Sequence, residues 1–137
     1  MTGFVWPVRV YYEDTDAAGV VFYANYLRFM ERARTEWLRS LGFEQDRLMR
    51  DPGILFAVRR ADLRFHRPAR FNDALLVDVA LGRVGGASLE FEQRVVRDDS
   101  DQELFCSARV SVACLDAATF RPCPLPDLIA AEIPHEC

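Results

Sequence analysis

Three carboxylates fall within four residues in the stretch Glu13-Asp14-Thr15-Asp16-Ala17-Ala18-Gly19, and the residues after it take up helical spacing. A helix start presents N–H groups without intrahelical acceptors and the positive end of the aligned peptide dipoles, so it can stabilise an oxyanion as it forms. A carboxylate held beside such a start can act as nucleophile or general base toward an ester or thioester carbonyl. An acidic loop that is only solvated, or that caps the helix, has the same composition, and the residues alone leave both readings open. A metal site built from the three carboxylates would lack a neutral ligand at a spacing that completes it.

Other chemistries are excluded by what the chain lacks. All 17 basic side chains are arginine, so neither a Walker-type phosphate loop nor a Schiff-base enzyme can be built here. The two histidines are His66, on the polar face of a strand pattern, and His135, near the C-terminus. His66 reads as a surface or hydrogen-bonded residue, and a Ser-His-Asp or Cys-His arrangement has little support. HExxH, GxSxG and GxGxxG are absent. Cys106, Cys114, Cys123 and Cys137 are 8, 9 and 14 residues apart. That spacing fits neither a CxxC redox pair nor a zinc site, so free thiols are expected. A net charge of −4 argues against nonspecific nucleic-acid binding, although local arginines could hold a small anionic ligand. No membrane span or signal peptide is read, and a cytoplasmic location is expected.

Several elements must position these groups. At 137 residues the chain has the length of one domain, and residues 1–137 are read as such. Val5 to Tyr12 reads as a strand, with Pro7 placing it at a sheet edge or marking its start. From about Phe22 to Leu41, apolar residues recur at helical spacing: Phe22, Tyr26, Phe29, Met30, Ala33, Trp37, Leu38 and Leu41. Asn25 is a candidate N-cap and Gly42 a good C′ residue. A helix of about 18 residues would be roughly 27 Å long, and no other long helix is read. After Asp51-Pro52-Gly53 the period becomes two, and the alternation is clean from Ala61 onward. Further strands follow at Leu75 to Val84, Ala87 to Arg97 and Glu103 to Leu115, joined at Gly85-Gly86 and at Asp98-Asp99-Ser100-Asp101. Cys106 and Cys114 share the apolar face of the last strand with Leu104, Ala108, Val110 and Val112, as core residues would. One helix on one face of an antiparallel sheet follows, an α+β architecture in which the sheet could wrap the helix.

The run from Tyr11-Tyr12-Glu13-Asp14-Thr15-Asp16 through Gly19 and Tyr23-Ala24-Asn25-Tyr26 to Glu31-Arg32-Ala33-Arg34 resembles the hotdog-fold 4-hydroxybenzoyl-CoA thioesterase family. Within that family it is most similar to the acyl-CoA thioesterases associated with the Tol-Pal envelope system. His66-Arg67-Pro68-Ala69-Arg70-Phe71-Asn72-Asp73 is similar to the family's segment joining two strands, so the likeness spans nearly the whole chain. The resemblance implies a hotdog fold, one long central helix wrapped by an antiparallel five- or six-stranded sheet. It implies hydrolysis of an acyl-CoA, with a short-chain, fatty or aromatic acyl group, to free acid and CoA. No cofactor is implied.

By position, the family's catalytic carboxylate falls on Asp16, and Asp14 is left to tie down the loop. The family's thioester oxygen is received by a backbone N–H that maps to Tyr23, where related chains often carry histidine; a backbone donor survives that departure. Gly19 and Val20 fall on the substrate side. Glu31 matches an acidic position near the substrate phenol in the 4-hydroxybenzoyl branch, although it could equally pair with Arg28 or Arg34 along the helix. Arg67 and Arg70 are candidate partners for the CoA phosphates, since a planar guanidinium suits phosphate bidentately. The resemblance also implies a homodimer with active sites between subunits, often doubled to a homotetramer. Two alternatives stand beside hydrolysis: a hotdog hydratase or dehydratase, and a non-catalytic hotdog protein of the cell-envelope system that meets an acyl carrier protein.

Overall fold

The computed structural model describes residues 3–133; His135 and Cys137 lie outside them. Five strands form one antiparallel sheet: β1 (Phe4–Arg9), β2 (Ile54–Phe65), β3 (Ala74–Val84), β4 (Ser88–Arg97) and β5 (Leu104–Asp116), in the spatial order β1-β3-β4-β5-β2. Helix α1 (Asn25–Ser40) lies on one face, and two short helices, α2 (Gln45–Arg50) and α3 (Asp127–Glu132), complete the chain. This is the hotdog arrangement, and α1 is its only long helix among the described residues.

The core follows from period matching. The buried stripe of α1 is Tyr26, Phe29, Met30, Ala33, Trp37 and Leu38, at the spacing that puts one face of a helix inward. It packs on the alternate residues of the sheet that face it, among them Leu75, Val77 and Val79 of β3, Leu89, Phe91 and Val95 of β4, and Cys106, Val110 and Cys114 of β5. Trp37 meets Phe91 edge-on, with ring centroids 5.3 Å apart. Helix α1 stops at Gly42, whose φ of 97° supplies the left-handed turn a helix C-terminus favours.

Two boundaries differ from the sequence reading by more than a residue, each for a physical reason. The first strand ends at Arg9 instead of Tyr12. Beyond Val10 the chain turns because the Asp14 carboxylate accepts the Tyr11 N–H at 2.8 Å and Tyr12 O accepts the Thr15 hydroxyl at 2.7 Å, local bonds that compete with a ladder. Pro7 is accommodated because β1 is an edge strand.

Helix α1 starts at Asn25, after a turn through Tyr23 and Ala24, so Asn25 is its first residue and not its N-cap.

Strand β2 starts at Ile54, directly after Asp51-Pro52-Gly53 where the period of two is expected to begin, and its alternation is broken before Ala61. A bulge between Val58 and Arg60 shifts the register, so two sets that share the inward face, Ile54-Phe56-Val58 and Ala61-Leu63-Phe65, are out of step in the sequence.

Candidate active site

The loop between β1 and α1 is built almost entirely from its own hydrogen bonds. Asp16 N donates to Val20 O at 2.9 Å and Gly19 N to Asp16 O at 3.0 Å, closing a tight turn in which Gly19 has φ 79°. A Cβ at Gly19 would have open space around it, so glycine is required there by the backbone angle and not by crowding. The turn is tied outward to the segment between β2 and β3. Val21 N donates to Ala69 O at 2.8 Å and Val20 bridges Arg70, while buried Tyr26 of α1 accepts the Ala69 N–H at 3.1 Å on its hydroxyl. Burial raises the Tyr26 phenol above its ordinary pKa, which keeps that hydroxyl neutral.

Asp16 is exposed at the tip of this turn. Its Oδ1 accepts the Ala18 N–H at 2.9 Å, which fixes the plane of the carboxylate, and Oδ2 has no hydrogen-bond partner among the described residues. At the entrance to α1, Phe22 N donates to Asp14 O at 2.9 Å and Asn25 N to Phe22 O at 2.8 Å. The N–H groups of Tyr23 and Ala24 between them have no acceptor among the described residues. One loop therefore offers a fixed carboxylate with a free oxygen and, a few residues on, two unsatisfied donors at the positive end of a 16-residue helix. That combination can attack a carbonyl carbon, or deprotonate a water that attacks it, while receiving the carbonyl oxygen.

A cleft of about 270 Å³ adjoins this helix start, lined by Val21, Tyr23, Tyr26, Phe65, His66, Arg67 and Pro68. Its walls are aromatic. Phe65 lies 6.2 Å from Tyr23 and 5.8 Å from Tyr26 by ring centroids, and both Tyr23 and Phe65 are more than half exposed. Tyr26 and Phe65 were legible in the sequence only as parts of apolar stripes; their place beside the loop comes from the joining segment folding across α1.

The structure gathers Asp16, Gly19, Val20 and Tyr23 on one loop, with Arg70 bridged to Val20 and Arg67 on the cleft wall. Arg67 pairs with Glu103 at 3.2 Å, whereas the Arg70 backbone N–H donates to Asp73 Oδ2 at 2.8 Å and its guanidinium forms no ion pair among the described residues. Glu31 stands apart, about 12 Å farther along α1 than Tyr23 by helical rise. It bonds neither Arg28 nor Arg34 but accepts the Thr35 hydroxyl at 3.4 Å, and it lines a separate small cavity of about 90 Å³ with Arg34, Trp37, Phe56 and Phe91. His66 is exposed and its Nε2 lies 2.9 Å from Ser107 Oγ, a hydrogen-bonded surface residue as expected. Cys106, Cys114 and Cys123 are free thiols; burial pushes Cys106 and Cys114 up to about 12, which suits core packing and not nucleophilic chemistry.

Residues 10–133 match the thioesterase-like superfamily. The chain belongs to that superfamily. Among curated members, it is 42% identical over 97% of its length, and 96% of the other's, to the acyl-CoA thioesterase YbgC of Haemophilus influenzae. It is 45% identical, with 96% of both chains covered, to the acyl-CoA thioester hydrolase YbgC of Escherichia coli. Among solved superfamily structures, a probable thioesterase from Bartonella henselae superposes with a TM-score of 0.83 at 34% identity, over 89% of this chain and 98% of that one.

Proposed function

We propose that this chain hydrolyses acyl-CoA thioesters to free acid and CoA, with Asp16 as the reacting carboxylate and the Tyr23 backbone N–H as the donor to the thioester oxygen. The observation that carries the assignment is the pairing of Asp16, with its open Oδ2, and the unsatisfied N–H groups at the start of α1 on a single hydrogen-bonded loop. The names of the two YbgC relatives support the substrate class.

Two routes use the same atoms. Attack by the carboxylate forms an acyl–aspartyl anhydride and expels the CoA thiolate, which takes up a proton; water then cleaves the anhydride and restores Asp16. In the other route Asp16 takes a proton from water as that water adds to the carbonyl. Both need the ionised carboxylate, and both develop negative charge on the oxygen facing Tyr23. In this reading Gly19 and Val20 let the substrate approach closely, and Arg67 and Arg70 meet the CoA phosphates. Glu31 and its cavity belong to recognition of the acyl end. The hydratase reading has less support, since His66 is the one histidine of the described residues and is engaged with Ser107.

The working unit in this proposal is a cytoplasmic homodimer or homotetramer. Strand β2 closes one side of the sheet with no neighbour beyond it among the described residues, and it carries half-exposed Val58 and Phe65 on its inward face, so a second copy has both an edge to pair with and apolar surface to cover. An acyl carrier protein is the alternative bearer of the thioester. No helix among the described residues is long and apolar enough to cross a membrane.

The test is release of free thiol from a panel of short, long, branched and aromatic acyl-CoAs. Asp16→Asn keeps the shape and removes basicity and nucleophilicity, so kcat should fall by at least about 100-fold with the fold intact. An Asp16→Asn protein at the wild-type rate would sink the assignment. An enoyl to 3-hydroxyacyl conversion without thiol release would favour the hydratase.

A further inference from the structure

Asn25 occupies the first turn of α1, where an asparagine is expected to cap the helix, yet its side chain caps nothing. Its Nδ2 instead reaches back across eleven residues and donates to Asp14 O at 2.8 Å in a half-buried contact. The same carbonyl accepts the Phe22 N–H at 2.9 Å. One loop carbonyl therefore takes two hydrogen bonds, one from the turn before the helix and one from the helix itself. Among the described residues, no other side chain of α1 is hydrogen-bonded to the loop from Tyr11 to Ala24.

Asp14 is well suited to transmit this hold. Its carboxylate accepts the Tyr11 N–H at 2.8 Å, and its own N–H donates to Tyr11 O at 3.0 Å, so the residue is clamped at its side chain, its N–H and its carbonyl. Asp16 lies two residues farther on. Asp16 N bonds Val20 O and Thr15 bridges Val21 within the loop, while the outward ties, Val21 to Ala69 and Val20 to Arg70, run to the segment between β2 and β3 and not to α1. Backbone pairing of Asp14–Asp16 with Val20–Phe22 holds the two limbs of the loop together, and among the described residues the Asn25 carboxamide is the one side-chain bond that ties the carboxylate-bearing limb to the helix itself.

We propose that Asn25 is a positioning residue, whose carboxamide holds the Asp14–Asp16 segment against the start of α1 and so sets Asp16 at a fixed place relative to the Tyr23 N–H. Losing the donor leaves the loop held by its backbone pairing with Val20–Phe22 alone, and removes the bond that sets that paired loop against the first turn of α1. Both groups remain present but no longer converge on one carbonyl. Misplacement on the order of 1 Å is enough to lower a rate by about 100-fold without abolishing binding. The proposal rests on Asp16 as the reacting carboxylate.

Steady-state acyl-CoA hydrolysis and thermal melts of Asn25→Ala, Asn25→Asp, Asp16→Asn and the Asp16→Asn/Asn25→Ala double variant test it; the weak ones are measured in single turnover with enzyme in excess. Asn25→Asp keeps the shape and turns the donor into an acceptor facing a carbonyl. Both Asn25 variants should lose roughly 10- to 100-fold in kcat with KM within about threefold of wild type. In the Asp16→Asn background, Asn25→Ala should cost less than about twofold, because the group it positions is gone. With Asp16 upheld, three results overturn the proposal: wild-type kcat in Asn25→Ala, a kcat loss accompanied by a lowered melting temperature and a KM that rises in step, or full additivity on Asp16→Asn. The two readings fail separately. Asp16→Asn inactive with Asn25→Ala unaffected removes only Asn25, whereas Asp16→Asn at full rate removes Asp16 and this proposal with it.

Discussion

At the scale of single residues, the same side-chain chemistry serves opposite ends according to where it is held. Asp14 and Asp16 are two residues apart, yet Asp14 spends its carboxylate on Tyr11 and its carbonyl on Phe22 and Asn25, while Asp16 keeps Oδ2 open. Gly19 allows that turn through its φ of 79°, and alanine there should strain the backbone by about 1 kcal/mol. With free space around its Cβ, Gly19→Ala should fold and show its cost in the hydrolysis rate, read against an unchanged melting curve to within a few degrees. Cys106 gives a pH signature independent of the site. Burial raises its thiol from the ordinary 9.0 to about 12 in the folded chain. Folded and unfolded chains both keep the proton below about pH 8.5, so stability is unaffected there; as pH rises toward 12 only the unfolded chain loses it, and stability falls. Each unit of pH above 9 should cost about 1 kcal/mol through this one thiol. Urea melts at pH 8, 9 and 10 should therefore show a shallower alkaline decline for Cys106→Ala than for the wild-type chain, and equal slopes would refute it.

At the scale of elements, the question is what keeps α1 in the right place on the sheet. Apolar packing fixes its face, but a polar link fixes its height and angle. Gln93 of β4 is 1% exposed; its carboxamide donates to Met30 O of α1 at 3.1 Å and to Asp78 O of β3 at 3.3 Å, and accepts Arg34 Nη1 at 2.7 Å. Burial lowers the Arg34 guanidinium below its ordinary pKa, so the Gln93 oxygen is an important partner for a partly desolvated cation. Gln93→Leu keeps much of the volume and strands Arg34 with no acceptor. It should destabilise the fold by about 2–4 kcal/mol in urea unfolding, as breaking a buried charged hydrogen-bond network does. A change under about 0.5 kcal/mol would mean that apolar packing alone seats the helix. The polar-face alternation of β2 shows the limit of pattern reading at this scale. The bulge before Arg60 puts one unpaired residue into the strand, so the period of two that begins after Gly53 changes phase before the clean alternation from Ala61.

At the scale of the whole molecule, the sheet has two edges that are finished differently. Strand β1 carries Pro7 and arginine at its end, features that discourage a further strand, whereas β2 is twice as long and lines the aromatic cleft with Phe65 and the separate Glu31 cavity with Phe56 and Val58. If two copies meet along β2, each cleft gains a wall from its neighbour, and activity depends on association. Sedimentation velocity at micromolar concentration should then show at least two chains per particle. Val58→Asp, a substitution at a residue 51% exposed in the single chain, should shift the protein toward monomer and lower hydrolysis in parallel. A monomeric wild-type chain with full activity would refute the dependence.

The sequence by itself determined the periods, and with them the elements. The stripe from Tyr26 to Leu38 dictates a helix that must bury one face, the alternation after Leu75 dictates strands, and Gly42 and Gly85-Gly86 dictate where the chain turns, because these are local consequences of side-chain spacing and backbone freedom. Spacing alone left the acidic loop open between a solvated cap and a reacting carboxylate, and the assignments to Asp16 and Tyr23 are what the family resemblance implies. Tertiary structure decided what no spacing encodes: that Ala69 and Arg70 close over the loop, that Phe65 and Tyr26 wall the cleft, and that Glu31 faces a different cavity. It turned Asn25 from a cap into a tie to Asp14, since a carboxamide at a helix start bonds whichever carbonyl the fold brings within reach, and that carbonyl comes from a loop eleven residues away.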